Sequence, residues 1–230
     1  ILANREAFGR NPDETYTPSM LEDMAFSINP VNVETTGLPI SSVISDISVQ
    51  ADMVQNMEIK IWKATSKVMF SFAKEGDFPV TINSITIDNL AQLSKVFPES
   101  TVYGTEPSDV VIPVQGETYG QTQAVTVSNA SVTKIITDPV SENLPDEQFD
   151  LHGSAYVLEN GFDQMSDQPV TSTIKYTVEG GTEQTAIIAL PAMPRNTLVN
   201  VKCLVRQRGG FKLMYEVSRW KIADIDVDYN

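Results

Sequence analysis

Carboxylates are the most abundant groups in this chain that could do chemistry, and their spacing decides what they could do. Glycoside hydrolysis needs two carboxyl groups facing each other across a cleft. Glu159 with Asp163, or the acids between Asp138 and Asp150, are the candidate pairs. Most of these acids lie in loop-like stretches, and separation along a chain does not fix the distance between two carboxyl groups, so solvated surface is the better reading. Asp224, Asp226 and Asp228 alternate along one strand face, where oxygen ligands could meet a hard cation such as calcium. Same-face neighbours on a strand are roughly 6.5–7 Å apart, too far for three of them to hold one ion easily. A charged face that discourages stray edge pairing is the simpler role.

Cys203 and His152 are each the only residue of their type. One cysteine forbids an internal disulfide and a thiolate metal cluster, and one histidine leaves a nucleophilic triad no spare partner. Cys203 lies in an apolar alternating run and reads as buried and structural. The chain contains no EF-hand loop, P-loop, HExxH or GxSxG, each of which would mark a specific chemistry. Asn129-Ala-Ser131 matches a glycosylation acceptor and is assigned no function. No catalytic residue, cofactor or metal site is expected, and the chain is not read as an enzyme.

What positions these residues is a chain of 230 residues, 41% hydrophobic and 20% charged, long enough to bury a sizeable core and too apolar for a disordered one. Its net charge is −14, which repels phosphate backbones and anionic lipid, and no Lys/Arg cluster sits between aromatics, so nucleic acid is excluded as a partner. No apolar stretch approaches the roughly 18 residues of a membrane span. The chain begins at Ile1 with neither Met nor a signal pattern, and is expected to be a mature form whose targeting or lipidation segment has gone.

Alternation of apolar and polar residues predicts strands. Residues 1–45, with Pro12, Pro18, Pro30 and Pro39, read as loop with one short strand over 24–28 and a brief helical turn after Thr17. Met57, Ile59 and Ile61 share a face, as do Val68, Phe70 and Phe72. Further runs cover 80–87, 110–114, 124–127 and 132–136, then 153–158, 171–178, 185–190, 198–205, 211–217 and 222–227. Gly180-Gly181 and Arg208-Gly-Gly210 read as hairpin connections. Asn160-Gly161 reads as a strand end suited to positive φ, and Arg195-Asn196, after Pro191 and Pro194, as the start of a strand. For Glu159, Arg195 and Asn196 the plain reading is polar fixing of loops at the ends of a sandwich. Residues 138–149 break the rhythm with prolines and acids and mark the expected boundary between two β-sandwiches, at 1–140 and 141–230.

Several short motifs stand in a recognisable order. Leu38-Pro-Ile-Ser-Ser42 and Trp62-Lys-Ala-Thr-Ser-Lys-Val-Met-Phe-Ser-Phe72 come first. Val80-Thr-Ile-Asn-Ser-Ile-Thr-Ile-Asp-Asn89 follows, running on to Val96-Phe97-Pro98. Tyr156-Val-Leu-Glu-Asn160 and Arg195-Asn196-Thr197 complete the set. Over roughly residues 35–230 this order resembles the fimbrillins, two-domain pilins and adhesins of Gram-negative gut and oral anaerobes. Lys63-Ala64 stands where that family has Arg-Ala.

The resemblance implies an all-β chain of two tandem transthyretin-like β-sandwiches, acting at the cell surface as an adhesion protein or pilus subunit. It implies export as a lipoprotein to the outer membrane, with a lipid anchor in a preceding segment, and other pilin subunits or host or bacterial surface ligands as partners. In the family an arginine-specific protease removes an amino-terminal strand, and the vacated groove takes a strand from a neighbouring subunit by β-strand addition. Arg5 and Arg10 are then the candidate processing points, and Ile222, Ile225 and Val227 the candidate strand-exchange element. The alternative is a carbohydrate-binding outer-membrane lipoprotein that stacks sugar rings on Trp62, Tyr103, Tyr119 or Trp220.

Overall fold

A computed structural model of the chain describes residues 62–97, 120–137, 144–160 and 169–219, with short pieces at 2–3, 15–17, 19–20, 24–27, 33 and 37–41. The fold is all-β. Its long strands are β5 (Thr65–Lys74), β6 (Val80–Leu90), β8 (Gln121–Val125), β9 (Asp150–Leu158), β10 (Thr171–Val178), β11 (Gln184–Ala189), β12 (Thr197–Val205) and β13 (Phe211–Arg219). Two-residue strands accompany them: β1 (Leu2–Ala3), β2 (Ala25–Phe26), β3 (Ile40–Ser41), β4 (Trp62–Lys63) and β7 (Ser94–Lys95).

The long strands form two four-stranded sheets, ordered β11-β10-β6-β8 and β13-β12-β5-β9. One apolar core lies between them. Val68, Phe70, Phe72, Val199, Val201 and Cys203 from the second sheet meet Ile82, Ile85, Ile87, Ile174 and Tyr176 from the first. Alternation explains which residues go in: along β10, Ser172, Ile174, Tyr176 and Val178 are buried while Lys175 between them is exposed. Along β6 the inward set changes parity, from Val80 and Ile82 to Ile85 and Ile87. The β6–β10 register slips between Lys175 and Tyr176 to absorb the extra residue, so a bulge keeps both halves of the run facing the core. A second bulge, between Phe70 and Ser71 of β5, leaves His152 of β9 as the extra residue.

Both sheets mix strands from before and after residue 140. β5 pairs with β9 on one side and, in parallel, with β12 on the other; β6 pairs with β8 and β10. The described strands from either side of residue 140 thus share two sheets. The β5–β12 pair is parallel and the β5–β9 and β6–β10 pairs are antiparallel; all three join strands far apart in sequence with no hairpin to announce them. The run at 132–136 also differs from expectation, since it forms no strand. It crosses from one sheet to the other at an end of the sandwich: Val132 N donates to Val80 O at 3.1 Å and Ile136 N to Lys74 O at 2.9 Å. A segment that serves two sheets by turns cannot build a ladder on either.

The turns behave as read. Glu179 and Gly180 have φ of 54° and 68°, and Gly181 N closes the turn onto Val178 O. Gly209 and Gly210 have φ of 86° and 87° in the β12–β13 hairpin. Near Thr17, Met20 N donates to the Thr17 hydroxyl at 3.3 Å as the chain turns helical at Ser19 and Met20. Of the Asn160-Gly161 pair, Asn160 has no positive φ and bridges to Met193, while Gly161 lies outside the described residues. The left-handed residue is Asn196, at φ 61°, in the turn before β12. The expected runs at 110–114 and 222–227, and the face made by Met57, Ile59 and Ile61, lie outside the described residues.

At the β8–β9 flank the two sheets come so close that a Cβ on Gly153 would lie 2.8 Å from both the Thr126 carbonyl oxygen and Val125 Cγ1. Gly153→Ala is therefore expected to cost about 1–3 kcal/mol through overpacking, measured by urea denaturation followed by far-UV circular dichroism.

Candidate functional site

One end of the sandwich is built differently from the rest. Here β3 is flanked by β1 and β4, with Leu2 opposite Ser41 and Ser41 opposite Trp62, while β2 pairs with β7. A second small core of Met24, Phe26, Ala64, Ala91, Val96 and Leu158 fills the space beneath, with Tyr16 and Phe97 against it. Among the described residues, amino-terminal segments thus reach the sandwich at this end.

At its centre is an ion pair with both side chains wholly buried, Arg195 and Glu159. Arg195 Nε donates to Glu159 Oε2 at 2.8 Å, and Nη2 donates to Glu159 Oε1, so the pair is bidentate. Nη2 also donates to Lys95 O at 2.9 Å and Nη1 to Val96 O at 3.3 Å and the Ser41 hydroxyl at 3.4 Å. The Ser94 hydroxyl donates to Glu159 Oε1 at 2.8 Å and the Ser41 hydroxyl to Val96 O at 2.7 Å. Burying two charges costs more than their attraction returns unless the remaining lone pairs and protons find partners. Here Ser41 of β3, Ser94 and Lys95 of β7 and the Val96 carbonyl just after it supply them. Asn196, at positive φ, lets the chain turn straight from Arg195 into β12; Thr197 Oγ1 accompanies it by donating to Pro194 O at 2.5 Å.

Glu159 is thus no solvent-facing acid of a glycosidase pair, and its proposed partner Asp163 lies outside the described residues. Polar fixing at the sandwich end is the role the structure gives to Glu159 and Arg195. Sequence reasoning missed Ser41 and Ser94. The only signal would have been the buried charges themselves, whose donors and acceptors demand polar neighbours.

A second polar cluster lies on the outer face of the β13-β12-β5-β9 sheet. Residues 144–149 cross this face through a 3-10 turn at Asp146–Gln148, and Leu144 and Phe149 cover Leu204 and Ala73. Lys202 Nζ reaches Asp146 at 2.5 Å, Glu216 at 3.1 Å and Leu144 O at 3.1 Å. Burial pushes the Lys202 ammonium down, but Asp146 and Glu216 outweigh it and hold its pKa above the ordinary value. A cleft of about 540 Å³ opens beside it, lined by Pro145, Glu147 and Met214 among others. The acids between Asp138 and Asp150 that are described act locally: Asp146 anchors this strap, and Asp150 accepts from the Thr133 amide and hydroxyl and the Lys134 amide at 2.7–2.9 Å. Desolvation pushes the Asp150 carboxyl up. The Thr133 and Lys134 hydrogen bonds and the nearby His152 reverse this and leave it below the ordinary value.

Cys203 is buried and free, and desolvation raises its pKa far above that of an exposed thiol. Among the described residues no group of three or more His, Cys, Asp or Glu side chains could hold a metal ion, and no helix is long and apolar enough to cross a membrane. Arg5 and Arg10, Ile222, Ile225 and Val227, Asp224, Asp226 and Asp228, and Tyr103, Tyr119 and Trp220 all lie outside the described residues. Trp62 is placed in β4 by its backbone.

No family model and no curated protein matches the chain. Solved structures do. The tip fimbrial protein Mfa3 of Porphyromonas gingivalis, in a form truncated at its C-terminus, is 11% identical with a TM-score of 0.51, over 88% of this chain and 72% of that one. A protein of Bacteroides eggerthii assigned to cell adhesion is 12% identical over 90% of this chain and 72% of its own, at a TM-score of 0.49. One from Parabacteroides distasonis, also assigned to cell adhesion, is 13% identical with a TM-score of 0.46, and the match covers 72% of this chain but only 55% of that one. This chain thus spans little more than half the length of that relative. At these identities the likeness to the tip protein establishes a shared fold, in agreement with the fimbrillin resemblance of the motifs.

Two outcomes follow from the geometry. Glu159→Gln, which strands a buried guanidinium, is expected to cost about 3–5 kcal/mol, and adding Arg195→Met should cost less than the sum of the single changes; a double-mutant cycle in urea measures both. For Asp150, a lowered folded pKa means stability that is present above the unfolded value and lost as pH falls through the folded one. Asp150→Asn should therefore flatten the stability–pH curve below about pH 4, read from denaturation midpoints at stepped pH.

Proposed function

We propose that this chain is a fimbrillin-like cell-surface adhesion protein or pilus subunit that assembles by β-strand addition. The observation that carries the reading is the place of β1. It ends at Ala3, just ahead of Arg5 and Arg10 in the sequence, and it forms the outer member of the β1-β3-β4 sheet. A cut after either arginine would separate β1 from the rest of the chain. Loss of β1 would uncover the edge of β3, and an unpaired edge accepts a foreign strand through main-chain hydrogen bonds. The fold shared with a tip fimbrial protein supports the same reading. So does the net charge of −14, which repels nucleic acid. On this reading the protein sits at the outer membrane as part of a fimbrium, held through a lipid anchor or through its neighbours, and its partners are other pilin subunits or surface ligands. Its activity is binding and assembly, with no cofactor. Ile222, Ile225 and Val227 are the candidate residues of a donated strand.

Two other arginines offer an internal comparison. Arg206 and Arg208 are exposed in the β12–β13 hairpin, but the turn is closed by Gly209 N donating to Arg206 O at 2.9 Å and Arg206 N donating to Gly210 O at 3.1 Å. Proteases require an extended segment, so a hydrogen-bonded hairpin resists them. Treating the folded chain with an arginine-specific protease should cut at Arg5 or Arg10 well before Arg206 or Arg208. The trimmed protein should then form oligomers on size-exclusion chromatography, and an Arg5→Ala/Arg10→Ala variant should stay as it was. Trimming that leaves the trimmed chain with the elution volume of the untreated one would sink the proposal.

A further inference from the structure

The strand-addition reading leaves a physical problem. Once β1 is withdrawn, β3 loses one neighbour and must still present a straight, correctly registered edge. Among the described residues its remaining ladder partner is β4, with Ile40 opposite Lys63 and Ser41 opposite Trp62. A further main-chain bond runs from Ala64 N to Pro39 O at 2.8 Å. A two-stranded piece is marginal by itself.

Ser41 supplies the missing support. It is 1% exposed; its hydroxyl donates to Val96 O at 2.7 Å and accepts from Arg195 Nη1 at 3.4 Å. Arg195 in turn is clamped by Glu159, Lys95 O and Val96 O. We propose that the buried Arg195–Glu159 pair, acting through the Ser41 hydroxyl, is a positioning device that keeps β3 seated and in register as an open edge when β1 leaves. The inference rests on the strand-addition reading, and goes beyond it in naming what prepares the acceptor.

Two properties of the pair favour this role over simple stabilisation. It lies at the end of the sandwich, outside the core shared by the two sheets, whereas a site selected for stability alone is filled as well or better by apolar side chains. It is also directional. A slip of β3 by one residue would turn the Ser41 hydroxyl to the opposite face, leaving a buried guanidinium proton and the Val96 carbonyl without that partner. The pair therefore penalises every register except the one in which Ile40 and Ser41 face the strand position held by β1. A strand arriving at an edge already held in place meets a lower ordering cost than one that must first assemble the edge.

The test uses the full chain with a single engineered protease site after Arg10, cleaved in the folded state. A fluorescent peptide copying residues 1–10 is the probe, and fluorescence anisotropy reads its exchange for the nicked segment. Cleaved protein with Ser41 intact should capture the peptide. Ser41→Ala should weaken capture about tenfold, the equivalent of one hydrogen bond, and Ser41→Thr should restore it. The melting temperature of the uncleaved Ser41→Ala protein, read beside it, should stay within a few degrees of the parent, so that the loss belongs to the edge. Capture with equal affinity by the parent, Ser41→Ala and Glu159→Gln would overturn the positioning role alone. No capture by the parent would overturn the strand-addition reading and this inference with it.

Discussion

A charge removed from water must be repaid in hydrogen bonds, and the Arg195–Glu159 pair imposes that constraint on one whole end of the molecule. Arg195 presents five N–H donors in a rigid fork, and both it and Glu159 are fully buried. No single strand could meet such a demand. The partners come from Ser41 of β3, Ser94 and Lys95 of β7 and the Val96 carbonyl. Segments that would otherwise have little reason to converge are thereby given one place to meet. Val96 N, donating to Met24 O at 2.9 Å, extends the same arrangement to β2. The small core of Met24, Phe26, Ala64, Ala91, Val96 and Leu158 then supplies the apolar shielding without which the pair would be wet and weak.

The sandwich itself has a different logic, and much of it could be read from residue types. β5, β6, β10, β11, β12 and β13 fall on alternating runs because two packed sheets need one inward face per strand. β10 falls on the 171–178 run, and β12 and β13 extend theirs by one residue at the start and two at the end. The pattern failed wherever structure depends on pairing instead of on a single strand's burial. β5 and β12 are parallel neighbours separated by most of the chain, and no local signal encodes that. The 132–136 run alternates well yet divides its bonds between β5 and β6. Lys202 alternates outward as a solvent-facing lysine should, but residues 144–149 lie over it and turn an exposed position into a buried one. Leu204, apolar on the same outward face, was the available hint that something covered it.

The candidate site was legible to a similar degree. Glu159 and Arg195 stand out in the two motifs that carry the family resemblance, and their assignment to polar fixing at a sandwich end is what the structure shows. Their mutual pairing was not legible, because nothing in a sequence sets two residues 36 positions apart against each other. Nor was the left-handed turn: of the two Asn residues in these motifs, Asn160 is followed by Gly and drew the turn reading, yet Asn196 adopts positive φ. A left-handed residue is demanded there by the reversal between the Arg195 side chain, which points into the pair, and β12, which departs at once into the central sheet.

The contrast between the two parts bears on why an edge of this protein could be exchangeable at all. The long strands are tied by ladders of four to nine residue pairs, eight between β12 and β5 and nine between β12 and β13, and by a core common to both sheets. Among the described residues β1 is tied to β3 by two. A main-chain hydrogen bond nets about 0.5–1.5 kcal/mol, while ordering each backbone residue costs about 1–2 kcal/mol. Two such pairs hold a strand only weakly, and β1 gains its place beside β3 also from belonging to the same chain. On the strand-addition reading, severing that connection passes the balance to any strand able to extend the same ladder further. The molecule thus combines a sandwich too heavily bonded to rearrange with one lightly bonded edge, and the buried ion pair lies at the junction where the second is fastened to the first.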